Sequence, residues 1–510
     1  MKLRSKTFMI AFLLSLGLMA TGTATAHTAV PQELPRITLL TAILVGTLYY
    51  LAASPWLANL GFTVMYRPLI AGTLVGFIMG SPAEGIAIGA NINILYLGWI
   101  GAGGNLPSDP ALAGYLGTAL ALSGGLSAQE ALALAAPLGL LGGLIYSVRM
   151  SACTLLAHRA DRAAERGDIR GVAQSNYLYS QLFLYFVYVV PVALAAYLGA
   201  AVVAQALSWV TQNAAWVLSG LTTASGMLAA LGIALNLKFL FQEKVWPYFL
   251  LGFMVTSLMD GTVNLLVFGL LAACLAYLHV QFTAQPVPAH GSEEAGAEKP
   301  PPGNLTRRDL FGAWLHWLFF SHAAYNWERM QGLGFAHSMT PIIRKLYTTP
   351  ADISAALQRH LVFFNTQPDV GGLIHGVVIA MEEERAAGAP ISDEAINAVK
   401  TGLMGPLAGI GDTLQQGIVI PIGLAVAMNL ATGGALGTAT QGNVLGPLFF
   451  LLVGAAYVWG VGWTAWWQGY RQGRSAITAL LRSGKLNRMI TGASVAGNFI
   501  IGALAVSFVK

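Results

Sequence analysis

Long apolar runs recur along the chain, separated by short polar or basic segments. The first extends from Ile37 to Leu60, and YRPLIAGTLVGFIMG (Tyr66 to Gly80) follows it. The segment from Glu84 to Trp99 is apolar except for Glu84, Asn91 and Asn93. Further runs lie near 131–150, 178–204, 214–236 and 246–280, and later near 414–432, 445–467 and 489–508. A helix of about 20 apolar residues crosses a ~30 Å hydrocarbon core. The pattern therefore predicts an all-α polytopic membrane protein.

One stretch resists a plain spanning helix. Gly98 to Gly114 (GWIGAGGNLPSDPALAG) sets four glycines ahead of Pro107, followed by Ser108, Asp109 and Pro110. In a helix interior glycine costs about 1 kcal/mol and proline about 3 kcal/mol, and an intramembrane carboxylate is expensive wherever it sits. Non-helical backbone survives at membrane depth only under cover of protein or beside a water-filled cavity. The stretch reads as a broken or re-entrant segment with Asn105, Ser108 and Asp109 at its tip, the device from which transporters build substrate sites. A loop outside the membrane is the other reading. A second break is expected at Pro406, where Gly409, Gly411 and Asp412 repeat the same chemistry.

The polar segments divide the chain. Lys2, Arg4 and Lys6 precede a 13-residue apolar run and a small-residue end at Ala26, so residues 1–26 resemble a signal peptide, with an uncleaved anchor as the alternative. Residues 36–282 form a strongly apolar domain, and 283–304 are a Pro-rich, charged cytoplasmic linker. Residues 305–510 form a second membrane domain, opening at Thr306 with a helix N-cap pattern. Between Arg308 and Arg385 aromatics and charges alternate at helical spacing, which predicts amphipathic or protein-covered helices. HRADRAAERGDIRG (His158 to Gly171) and the basic residues from Arg471 to Arg488 read as cytoplasmic loops.

Composition narrows the function. Of 510 residues 55% are hydrophobic and 10% are charged, against about 25% charged in soluble proteins. The net charge of +5 fits basic cytoplasmic loops and gives no reason to expect nucleic acid as a partner. Cys153 and Cys274 form no metal signature, and the nine histidines lack ligand spacing, so no metal or other cofactor is expected.

Several motifs carry a resemblance. YRPLIAGTLVG followed by LGWIGAGGNLPSDPALAG is similar to the IIC subunit of the mannose-type sugar phosphotransferase system. NWERMQGLGF, LQRHLVFFNTQP, MEEERA and KTGLMGPLAGIGD resemble the IID subunit in order and spacing. The resemblance covers roughly 36–282 and 306–508 and implies both subunits in one chain. It implies two helical membrane domains, related as an inverted pseudo-repeat in one view of the fold, with a mobile part moving past a static one in a homotrimer. It also implies a hexose or related sugar as substrate, the bacterial inner membrane as location, and IIA/IIB phosphocarrier proteins as partners. The phosphohistidines belong to those partners, so this chain would be the permease. An ion-coupled secondary transporter and a permease-derived receptor are the competing functions. The chain departs from the family pattern at Asn93 (often Glu or Gln), His322 (Gln), Tyr325 (Trp), Gln367 in NTQP and Thr413 after Gly411-Asp412.

A hexose site wants side chains that donate and accept, with an aromatic platform. The candidates are Asn91, Asn93, Asn105 and Asp109 in the first half, and Asn326, Glu328, Asn365 and Asp412 in the second. Asn91 and Asn93 diverge by about 160° on a helix, so only one of them can face a cavity, and interhelical bonding is the alternative for each. Asp109 reads equally as a sugar acceptor and as the N-cap of a helix starting at Pro110. Glu328 and Arg329 read first as an ion-pair network between the two halves.

Overall fold

The computed structural model describes residues 37–96, 99, 101, 104, 106, 108–126, 128–199, 245–258, 265–283, 305–433, 439–483, 495, 498, 499 and 502. The expected signal peptide, Asn105, the span near 214–236, most of the linker and most of the run at 489–508 lie outside them. The described residues are helical, with isolated β-bridges only at Asn326, Met330 and Phe364.

In the first half α1 spans Leu39–Ala53, α2 Pro68–Ile78, α3 Pro82–Ile94, α4 Pro110–Gly124, α5 Ala128–Glu165, α6 Ile169–Gln174 and α7 Ser180–Leu198. Next come α8 (Trp246–Leu258) and α9 (Leu265–Thr283). The second half holds α10 (Arg307–Phe320), α11 (Gly332–Leu346), α12 (Pro350–His360), α13 (Gly372–Ala386), α14 (Asp393–Asp412), α15 (Ile420–Thr432) and α16 (Leu445–Ser483). Among the described residues three stretches are long and apolar enough to cross a membrane: Glu130–Glu165, Ile169–Leu198 and Leu445–Gly473. Leu39–Ala53, Pro68–Ile78 and Trp246–Leu258 are shorter apolar helices.

Several expected boundaries move. The first run stops after 15 residues, because Ser54-Pro55 ends α1 and opens a 3₁₀ turn at Pro55–Leu57. The Arg-rich segment from His158 is no loop: α5 continues through it to Glu165. At 1.5 Å per residue, 38 residues reach about 57 Å, well beyond the hydrocarbon core. The run at 246–280 is two helices, α8 and α9. Pro406 does not interrupt α14, since losing one backbone donor is tolerated where neighbouring elements hold the helix. The change comes after Asp412, where Thr413–Val419 is wound as a π-helix.

The α2–α3 hairpin shows how short helices are held at depth. A Cβ on Gly72 would lie 2.4 Å from the Gly85 carbonyl oxygen, and one on Gly89 would lie 2.5 Å from the Pro68 carbonyl oxygen. Such contact is open only to glycine and supplies the close packing that substitutes for a hydrophobic drive inside lipid. Gly442 N donates to the Ala83 carbonyl at 2.7 Å, tying the hairpin to the second half. At the start of the second half, the N-cap expected at Thr306 is present as a full capping box with Asp309.

Candidate functional site

The interruption after α1 builds one wall of a cavity. Ala58 (φ 51°) and Asn59 (φ 63°) adopt the left-handed conformation, which costs a non-glycine residue energy and concentrates at functional sites. A π-helical turn, Gly61–Met65, follows at once. Such turns add a residue and re-aim the side chains around them. Together they direct Asn59, Phe62 and Thr63 into the cavity, beside Gly101, Gly104, Tyr146 and Arg149.

The second half supplies the opposite wall, through His322, Tyr325, Gln331, the 365–368 segment, Asp412, Gln415 and Gln416. Met330, also left-handed (φ 50°), leads into Gln331. The Gln331 amide fastens the 365–368 segment, donating to the Thr366 carbonyl at 2.9 Å and accepting from Thr366 N at 3.0 Å. The π-helix Thr413–Val419 carries Gln415 and Gln416. Gln416 accepts from Gly101 N at 2.8 Å and donates to Asp412 at 2.8 Å.

Behind this wall a carboxylate joins the two halves. Asp369, 2% exposed, accepts from Asn59 at 3.1 Å and from Gln367 and Gln415 at 2.8 Å each. Gln415 also donates to Thr63 at 3.2 Å, so the two π-helical segments meet through one amide. Arg149 donates to the carbonyl oxygens of Ala53 and His322 and to the Tyr188 hydroxyl, which brings its charge to neutral acceptors of both halves. Phe62 and His322 stack with centroids 6.0 Å apart. The wall thus combines amides, a carboxylate, hydroxyls and aromatic faces. That set suits a neutral, hydroxyl-rich ligand. Among the described residues no group of three or more His, Cys, Asp or Glu could hold a metal ion.

The sequence candidates separate in space. Asn365 and Asp412 line the cavity, and Asn365 accepts from the Tyr325 hydroxyl at 2.8 Å. Asn91 and Asn93 diverge as expected: Asn91 reaches the Ala439 carbonyl at 3.4 Å, and Asn93 accepts from Leu69 N at 3.4 Å. Asp109 caps α4 through Leu112 N (3.0 Å) and accepts from the Tyr49 hydroxyl (2.6 Å), off the cavity wall. Asn326 closes its own turn, accepting from Arg329 N at 2.9 Å and donating to Ala324 O at 2.9 Å. Glu328 stands 3.1 Å from His158, while Arg329 makes a two-pronged pair with Asp161 of α5, a network between the halves. Asn59, Asp369, Gln415 and Gln416 were absent from the candidates. Two signals pointed to part of this set: a Ser-Pro step inside an apolar run, and a polar Gln-Gln pair at the head of a spanning segment.

A second polar cluster lies beyond the end of a span. α13 runs beside α16 so closely that a Cβ on Gly376 would lie 2.2 Å from the Trp466 carbonyl oxygen, and Ala380 sits against Gly473. Glu382 therefore falls past the apolar stretch that ends at Gly473. It is fully buried, 2.6 Å from Arg359 Nε, 3.0 Å from His360 Nε2 and 2.5 Å from the Tyr347 hydroxyl. Burial alone would raise its pKa, but His360 and Arg359 outweigh burial and hold the carboxylate below its usual range.

Known proteins show the same two-part division. Residues 304–510 match the family model for the PTS system mannose/fructose/sorbose family IID component. Residues 39–278 match that for the PTS system sorbose-specific IIC component. The PTS system sorbose-specific EIID component of Klebsiella pneumoniae is 42% identical over 200 residues, covering 39% of this chain and 69% of that protein. The PTS system mannose-specific EIIC component of Escherichia coli K12 is 30% identical over 220 residues, covering 43% of this chain and 80% of its own length. A solved structure of the mannose transporter ManYZ with Microcin E492 aligns at 40% identity, covering 40% of this chain and 71% of that one, with a TM-score of 0.37.

Proposed function

Because the chain belongs to the mannose/fructose/sorbose family of the phosphotransferase system, with IIC and IID components in one polypeptide, we propose that the cavity between these components is where it holds sugar. Membership makes the chain a multi-pass permease component that moves sugar across the membrane. The observation that carries the site is the convergence of both components on one amide- and carboxylate-rich cavity, with Asn59 and Thr63 on one side and Asn365, Asp412, Gln415 and Gln416 on the other.

In this reading Asp412, Asn365 and the two glutamines take sugar hydroxyls, and Tyr325, Phe62 and His322 face the ring. The substrate is a hexose or related sugar, as the mannose and sorbose names of the relatives suggest. The chain works as a homotrimer in the bacterial inner membrane, with 36–282 and 305–510 as membrane domains and 283–304 as a cytoplasmic linker. A separate IIB protein, charged by IIA, phosphorylates the sugar as it emerges.

Uptake into vesicles, with and without phosphoenolpyruvate and the soluble carriers, tests this. Sugar phosphate should accumulate only when the carriers and phosphoenolpyruvate are present. Accumulation of unmodified sugar under an ion gradient alone would replace the reading with a secondary transporter.

A further inference from the structure

An exposed apolar stripe on α5 ends in arginine. Val148 and Leu155 are 54% and 71% exposed, and Arg159 and Arg162 are exposed after them. Successive spacings of seven, four and three residues keep these four side chains on one face of the helix. With a rise of about 1.5 Å per residue, Arg159 stands about 6 Å and Arg162 about 10 Å beyond Leu155 along the axis. Cα–Cβ bonds tilt toward a helix's N-terminus, which brings both side chains back toward Leu155. A layer of lipid headgroups is about 5–8 Å deep on each side of the hydrocarbon, so both arginines come to its level.

A second exposed stripe meets the first. Tyr179, Leu182 and Phe186 are 36%, 60% and 58% exposed at helical spacing across the start of α7. The Arg159 guanidinium carbon lies 4.2 Å from the centre of the Tyr179 ring. The cation is therefore held on an aromatic face at the point where the two apolar stripes end together.

The acids of this segment are turned elsewhere. Asp161, on the opposite side of α5 from Arg159, pairs with Arg329. Asp168 accepts from Gly171 N at 2.9 Å as the N-cap of α6. Among the described residues the arginines paired with carboxylates are Arg329, Arg359 and Arg385, and neither Arg159 nor Arg162 is among them. Two guanidiniums are thus left open at the edge of an apolar belt.

We propose that Arg159 and Arg162, with Tyr179, bind the headgroup of an anionic phospholipid. Arginine suits a phosphodiester, because its planar fork donates two parallel hydrogen bonds to phosphate oxygens. The occupant is a lipid and not free phosphate, because the apolar stripes that lead into the arginines need acyl chains beside them. The proposal does not depend on where sugar sits.

The full chain, purified in detergent, is given phosphatidylglycerol and phosphatidylcholine in equal amounts, and the lipid retained is counted by native mass spectrometry. The wild-type protein should prefer phosphatidylglycerol about tenfold or more, and inorganic phosphate at matched ionic strength should not displace it. Arg159→Gln combined with Arg162→Gln should bring the two lipids within about twofold of each other. Its melting temperature in phosphatidylcholine should match wild type, since both side chains are exposed. Tyr179→Leu keeps the apolar stripe but frees Arg159, and should lower the preference about threefold. Arg344→Gln, exposed on α11, should leave the preference unchanged. A wild-type protein that retains both lipids equally would overturn the proposal, as would displacement by inorganic phosphate. So would a double variant that keeps the preference; if that variant also lost phosphorylation by the soluble carriers, the arginines would belong to a protein partner.

Discussion

Asn59 of the first half donates to Asp369 of the second at 3.1 Å, and that carboxylate also collects the amides of Gln367 and Gln415. A buried carboxylate held by three neutral donors fixes three side chains at once. All three, Asn59, Gln367 and Gln415, also line the cavity. The charge is thus shared among groups that must stay in place for a ligand to be recognised.

Asp369→Asn removes one acceptor oxygen and sets an NH₂ against amide donors. Hydrogen bonds to a charged partner are worth roughly 1.5–3 kcal/mol each. Sugar affinity should weaken about 10- to 150-fold, and Tm should fall with it. Both are read on the purified protein. Unchanged affinity would show that the junction does not shape the cavity.

Glu382 and Arg359 make a buried pair, with side chains 0% and 2% exposed. Glu382→Gln leaves the guanidinium without its main partner and should cost about 3–5 kcal/mol of stability. The pH dependence follows from the same contacts. The folded carboxylate titrates below the usual glutamate range, so its contribution is complete above about pH 4.3 and is lost as pH falls through the depressed value. Burial likewise keeps His360 below its usual value, so the unfolded chain takes up that proton first and stability declines below about pH 6.5. Thermal melts from pH 7 to pH 2 should show stability falling with acid, and the part of the fall below about pH 4.3 should be missing in Glu382→Gln.

Asp109 is 1% exposed and is used twice, by Leu112 N and by the Tyr49 hydroxyl. In Asp109→Asn the amide can keep the cap, because Asn caps about as well as Asp. The tyrosine loses a charged acceptor, worth roughly 1.5–3 kcal/mol. Melting temperature should fall while sugar affinity stays within about twofold of wild type. A large loss of affinity in a protein of normal stability would move Asp109 into the sugar site.

Local features were the legible ones. Thr306 with Asp309 and Asp109 before Pro110 are signals whose physics is complete within a few residues. Glu328 and Arg329 were read correctly as a link between the halves, since adjacent opposite charges at a membrane edge need separate partners. The cavity was not legible. Its walls come from positions hundreds of residues apart, and its shape depends on left-handed Ala58 and Asn59 and on two π-helical turns. None of these has a sequence signature of its own. Pro406 misled for the opposite reason: proline is a strong local signal, and packing around α14 overrides it.

Sugar binding to the cavity is measured most directly by comparing Asp412→Asn with wild type in the purified, folded protein. Asp412 lines the cavity and accepts from Gln416, which itself holds Gly101 of the first half. Exchanging its carboxylate for an amide should weaken sugar affinity about 10-fold or more and shift Tm little. Wild-type affinity in a folded Asp412→Asn protein, alongside lost affinity in Asp109→Asn, would contradict the account and return the sugar to the first-half break.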